Sequence, residues 1–189
     1  MDLASPIKTV ATVNTRLVIK NPLHWQSDTS RQKAFRVHRD TETIFLRFRK
    51  KMAGRNTNMI ELVDYPLLSD YKYEIQGFLR ELCSYYTIAD FSVIIANLKS
   101  GGGTISTHVD NGPYFHRSHR VHIPIRTNDE TIFTIGDIQM CMKDYIAYEI
   151  GNTNHRHGVV NNGVTDRYHM IFDLFTSPTG SAPSQVSVR

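Results

Sequence analysis

From residue 91 to residue 175 the chain is a succession of short alternating or apolar runs. Residues 91–98 are almost continuously apolar, and Ser100-Gly101-Gly102-Gly103 then forces a sharp loop. Behind it come runs at 104–110, 119–126, 131–135, 138–143, 145–150, 156–160 and 167–175, separated by Asn-Asp, Gly-Asp, Lys-Asp, Gly-Asn and Asn-Asn-Gly turns. Short strands at this spacing predict a barrel or a two-sheet sandwich.

The first half is more mixed. Residues 10–19 are rich enough in β-branched side chains for an edge strand, and 20–34 read as loop or helical turn. Residues 41–49 predict a strand with Ile44, Leu46 and Phe48 on one side and polar groups on the other, and 59–63 a short strand. Pro66 and Ser69-Asp70 then announce a helix over 71–86, where Tyr73, Ile75, Phe78, Leu79, Leu82 and Cys83 recur at helical spacing and predict packing outside a sheet. The basic stretch 50–58 reads as a solvated loop. Residues 1–175 are expected to form one domain and 176–189, rich in Ser, Pro and Gly, a disordered tail.

Alternation also sorts polar groups. Arg120, His122 and Pro124 share a face opposite Val121, Ile123 and Ile125. Arg167, His169, Ile171 and Asp173 likewise oppose Tyr168, Met170, Phe172 and Leu174, the second set being expected to meet a neighbouring layer. Polar side chains aimed into a small barrel are costly without partners, and a bound acid would supply them.

Composition narrows the classes. The 189 residues, 40% hydrophobic and 21% charged, suit a globular domain with a real core, and the net charge of +4 is scattered, so no nucleic-acid partner is expected. Cys83 and Cys141 are far apart within apolar patterns, where they are expected to be buried hydrophobes rather than a disulfide. No leader-like segment or bilayer-spanning run is visible, so a soluble cytoplasmic protein is expected, with no membrane partner. Oligomeric state is not legible.

Of the nine histidines, six lie between His108 and His157. If residues 107–110 are extended, His108 and Asp110 project to one face in chelating position, and His157 arrives after several strands that could return the chain to the same place. Two imidazoles and a carboxylate on one side of an ion form the facial triad of non-haem Fe(II) oxygenases. Arg167 follows, where a fixed guanidinium could grip an acidic co-substrate through paired hydrogen bonds. Tyr114 and His116, in the aromatic loop 111–118, are candidates for a lid over a substrate pocket.

Four pieces carry a resemblance: the run from His108 to Pro113, the step Arg120-Val121-His122, the turn around His157 with Val159 and Asn161, and the run from Arg167 to Asp173. Together with residues 38–47, they resemble the aspartyl/asparaginyl β-hydroxylase family of 2-oxoglutarate oxygenases over residues 35–175. The resemblance implies a mainly β, double-stranded β-helix fold (a cupin-like jelly roll), with bound Fe(II) and with 2-oxoglutarate and O2 as co-substrates. The implied reaction is hydroxylation of an amino-acid side chain, free, peptidyl or in a natural product, with 2-oxoglutarate converted to succinate and CO2. By position, His108 and His157 match the family's metal-binding histidines and Arg167 the arginine on the distal carboxylate. His122 and Arg120 match residues near the co-substrate or substrate acid, and Asn97 falls where a small polar residue assists Arg167. Asp110 stands near where animal members carry glycine, which favours a full triad. A cupin-like module binding a metal or small acid without redox turnover, and an isomerase using the ion as a Lewis acid, use the same ligands but do not require Arg167.

Overall fold

Side-chain alternation along three central strands decides the architecture. The computed structural model describes residues 5–25, 37–50 and 60–186. Their strands are β1 (Ile7–Thr12), β2 (Thr41–Arg49), β3 (Leu62–Asp64), β4 (Asp90–Leu98), β5 (Gly103–His108), β6 (Ser118–Arg126), β7 (Thr131–Ile135), β8 (Ile138–Met140), β9 (Ile146–Ile150), β10 (His157–Asn161) and β11 (Arg167–Phe175). One sheet runs β1-β9-β6-β11-β4-β2-β3 and the other β5-β10-β7-β8, with antiparallel pairing throughout. The fold is the mainly β jelly roll, or double-stranded β-helix, that the strand pattern and the family resemblance imply.

The outer face of the large sheet carries Val121, Ile123, Met170, Phe172 and Leu174, all buried beneath helix α1 (Lys72–Leu82). Ile75, Phe78, Leu79 and Leu82 supply the helix side of that contact, with the Phe78 and Phe172 rings 6.3 Å apart. Each such side chain contributes about 1.5–3 kcal/mol by leaving water. Tyr73 and Cys83 fall off this stripe. A 3-10 turn over Pro66–Tyr71 precedes the helix, so Ser69 and Asp70 lie inside that turn rather than capping α1, and Tyr73 sits about 200° round the axis from Ile75, 80% exposed. Cys83 is exposed and Cys141 half-buried, which corrects the expectation that both are core.

Between the sheets, Leu98, Phe133, Ile135, Tyr148, Ile150 and Val159 form a second core at one end. A cavity adjoins it, lined in part by Phe133 and Val159.

Two local features differ from the sequence pattern. A register shift between Phe45 and Arg47 turns Phe48 away from Ile44 and Leu46, to pack with Tyr114 and Phe175. Arg47, expected on a polar face, is buried and matched by Asp64 at 2.6 Å and Asp90 at 3.1 Å. The described part of the tail, 176–186, lies against the core. Arg47 donates to the Ala182 carbonyl (3.1 Å), Ser181 Oγ accepts from the Leu62 amide (2.6 Å), Asp64 accepts from the Gln185 amide (2.8 Å), and Val186 is buried in the outer core. Its hydroxyls and small residues let the backbone lie close and bond to carboxylates.

The edge strand is β1, earlier than 10–19, and beyond it Val13 and Leu17 are buried without regular structure. The short strand expected at 59–63 is β3; Met59, most of the basic stretch (51–58) and residues 26–34 of the expected loop lie outside the described residues. Among the described residues no helix is long and apolar enough to cross a membrane.

Candidate metal centre

Strands β5 and β10 pair antiparallel with His108 directly opposite His157, which brings the two ring centroids to 4.4 Å. The close approach requires Gly158: a Cβ there would lie 2.9 Å from the Ile105 carbonyl oxygen and 3.2 Å from Thr107 backbone atoms. Each imidazole donates its Nδ1–H to a backbone carbonyl two residues earlier, His108 to Ser106 at 2.8 Å and His157 to His155 at 3.2 Å. Those bonds leave the Nε2 lone pairs directed to the same space.

Asp110 reaches that space by a different route from the one expected. β5 ends at His108, so Asp110 is carried on the following loop rather than on an extended strand. Its amide donates to the Asn152 carbonyl (3.0 Å), and its Oδ2 accepts from Asn152 Nδ2 (2.9 Å) and Arg120 Nη1 (2.7 Å). His108 Nε2 then lies 3.8 Å from Asp110 Oδ1, and His157 Nε2 lies 3.9 Å from Oδ2. The three ligand atoms fall within 4.8 Å of one another.

Electrostatics suit a cation here. Burial opposes the charge of Asp110, but Arg120, then Asn152 and the two histidines, outweigh it and hold the carboxyl down at about 2. Burial pushes His157 down to about 4 against the opposing pull of Asp110, so its ring is neutral near pH 7. Imidazole nitrogens beside an ionised carboxylate fit a divalent first-row metal such as Fe(II).

Arg167 and His122 open into the cavity beside this cluster, about 90 Å³ in volume and lined also by Phe48, Arg49 and Phe115. Arg167 is 4% exposed, and burial pulls its guanidinium down to about 9. It donates to His169 Nδ1 at 2.7 Å, and no ion-pair partner faces it among the described residues. His122 and His169 are both held far below the ordinary histidine range, first by burial, and the Nε2 of each is buried without a hydrogen-bond partner among the described residues.

Other candidates are placed differently. Arg120 lines the cavity but is occupied by Asp110 and by Asp173, which takes two bonds at 2.7 and 2.9 Å, so it serves carboxylates of this chain. Asn97 does not touch Arg167. It alternates with the cavity-facing Ala96, points to the other side of β4 and donates to Glu42 (3.3 Å) and Asp166 (3.2 Å). Tyr114, on the short helix α2 (Pro113–His116), is buried and donates its hydroxyl to Asp173 (2.7 Å); it anchors that carboxylate rather than lining the cavity. His116 is exposed beside Asn111 (3.4 Å), away from the cavity, while Phe115 takes the lining position.

Sequence reasoning missed Asn152, which sits in a loop with no periodicity, and His38, whose ring stands 5.9 Å from that of His108 and lines the cavity. Asp173 had a signal, since it shares the alternating face of Arg167 and lies opposite Arg120 in register.

A jelly roll with a His-Asp-His cluster that could hold a metal ion is the fold class shared by cupins and 2-oxoglutarate oxygenases. Within that class, the model described as Aspartyl/Asparaginyl beta-hydroxylase matches residues 79–177, and the chain belongs to this family. No curated protein matches it. Among solved structures it is similar to the viral collagen prolyl hydroxylase of Paramecium Bursaria Chlorella virus-1 in its 2OG complex, at 12% identity over 93% of this chain and 98% of that one, with a TM-score of 0.51. It is also similar to a 2OG-Fe(II) oxygenase family oxidoreductase from Burkholderia pseudomallei, at 12% identity over 74% and 68% of the two chains, with a TM-score of 0.49. At such identities the likeness is one of fold.

Proposed function

We propose that the protein is an Fe(II)- and 2-oxoglutarate-dependent dioxygenase that hydroxylates an amino-acid side chain, free, peptidyl or in a natural product. The observation that carries this reading is Arg167, a buried guanidinium without a carboxylate partner among the described residues, opening into the cavity that the His108-Asp110-His157 cluster also lines. A buried cation of that kind calls for an anion, and a dicarboxylate meets both demands by placing one acid on Arg167 and its keto-acid end at the cluster.

His108, Asp110 and His157 would hold the iron, which supplies one-electron chemistry with O2 while 2-oxoglutarate is decarboxylated. One oxygen atom enters succinate and the other the hydroxylated product. Arg167 and the unpartnered Nε2 of His122 bind the co-substrate. Arg120 and Asn152 occupy Asp110 Oδ2 and so orient the carboxylate. Phe48, Phe115, Phe133 and Ile171 line the cavity and exclude water from the reacting groups.

The test is anaerobic addition of Fe(II) and 2-oxoglutarate, followed by O2 with a panel of amino acids and peptides. A weak visible charge-transfer band, then substrate-stimulated succinate release with a product heavier by one oxygen, is the expected result. Binding of both without succinate under any substrate would make the protein a non-redox binding module.

A further inference from the structure

Among the described residues Arg47 and Arg167 are buried and Arg120 nearly so, and two of them are neutralised by carboxylates: Arg47 by Asp64 and Asp90, Arg120 by Asp110 and Asp173. Arg167 is the exception. Its Nη2–H is donated to Nδ1 of His169, two residues on along the same face of β11, at 2.7 Å.

To accept that bond, His169 Nδ1 must be unprotonated, so the ring is neutral and its proton sits on Nε2. That Nε2 is fully buried and has no hydrogen-bond partner among the described residues. An unsatisfied buried N–H costs on the order of 1–3 kcal/mol, and Ile171, next on this face, shows that an apolar residue satisfies the strand pattern equally well. Packing alone does not account for an imidazole at position 169.

We infer that His169 is a positioning residue for the co-substrate, a neutral acceptor that locks the Arg167 guanidinium in orientation while leaving its charge whole for the distal carboxylate. The inference rests on the function proposed above. A carboxylate at 169 would hold the guanidinium as firmly, but it would already pair with the charge and repel the incoming acid. An aliphatic side chain would leave the charge whole and the guanidinium free to turn. His122 completes the cradle, with Nδ1 3.5 Å from the same His169 nitrogen and Nε2 unpartnered.

The experiment compares wild type, His169→Leu and His169→Gln, each loaded with Mn(II) and titrated calorimetrically without O2. The ligands are 2-oxoglutarate and 2-oxobutyrate, which shares the keto-acid end but lacks the distal carboxylate. In His169→Leu, 2-oxoglutarate affinity is expected to fall by about 10- to 100-fold, the loss of one hydrogen bond to a charged group, while 2-oxobutyrate affinity and Mn(II) affinity hold. In His169→Gln the amide oxygen can accept the same bond, and most of the preference for 2-oxoglutarate should return. The ratio of the two affinities does not depend on how much of each preparation is folded. An undiminished ratio in His169→Leu, or equal losses in both variants, would overturn the role of His169 alone. A wild type that binds no 2-oxoglutarate would overturn the dioxygenase reading and this inference together.

Discussion

His108 and His157 stand opposite each other in register on neighbouring antiparallel strands, their rings 4.4 Å apart. Residues separated by most of the β-rich half are therefore held by the backbone ladder itself, and the two histidines are as fixed as the β5–β10 pairing.

Gly158 keeps that pairing close, because a Cβ there would press on backbone atoms that have no flexible end to yield. Gly158→Ala is expected to cost about 1–3 kcal/mol of stability and to weaken metal binding with it. Chemical denaturation and Mn(II) titration check this, and an unchanged metal affinity would show that the two strands can separate without moving the ligands.

Asn152→Ala removes a hydrogen bond that orients Asp110 but touches nothing near Arg167. Metal affinity should drop about 10- to 100-fold with the fold retained, as for other groups that orient a ligand. Full metal affinity in this variant would mean that Arg120 alone suffices.

Asp173→Ala leaves the nearly buried Arg120 with one of its two carboxylates gone and the Tyr114 hydroxyl with Ser92 Oγ as its remaining partner. A loss of about 1.5–3 kcal/mol is expected in denaturant unfolding, because two charge-assisted hydrogen bonds to Arg120 are lost while Asp110 still pairs with it. A loss below about 1 kcal/mol would place the network among weak surface pairs.

The metal-free protein should lose stability in two stages on acidification. His157 is depressed from 6.5 to about 4, so the unfolded chain binds the proton first and stability falls as pH drops from 6.5 toward 4. Asp110 is depressed from 3.8 to about 2, and its contribution, present above 3.8, is lost as pH falls toward 2. Melting temperature against pH checks the order. His157→Gln should make the upper stage shallower, with the buried His122 and His169 carrying the rest, and an unaltered profile would assign that stage to those two alone.

Removing residues 177–189 takes away the Ala182 carbonyl from Arg47, the Ser181 and Gln185 bonds, and buried Val186. A loss of about 2–4 kcal/mol in stability is expected, with 2-oxoglutarate binding unaffected because the clasp lies outside the cavity. An unchanged melting temperature would refute the anchoring of the tail.

Much of this was readable from local pattern. Strand alternation assigned Val121, Ile123, Met170 and Phe172 to one layer and Arg120, His122, Arg167 and His169 to the other, and these are the faces observed. It also contained the correction to Asn97, which sits next to the cavity-facing Ala96 and so points the opposite way. The helix was legible from its stripe, apart from Tyr73 and Cys83, because its starting turn was not.

Which side chain meets which was not legible. Arg120 read as a free cation for a ligand and proves to be claimed by Asp110 and Asp173; Asp110 read as part of a strand and proves to be aimed by a loop asparagine. The sequence by itself determined the strands, their two faces and the kinds of ligand on offer, since these follow from the two-residue repeat of an extended backbone. Only the tertiary structure decided the pairings, the bulge that turns Phe48 inward and the isolation of Arg167 from every carboxylate among the described residues. Those depend on register between distant segments and on loops without a repeat, and neither leaves a mark on neighbouring residues.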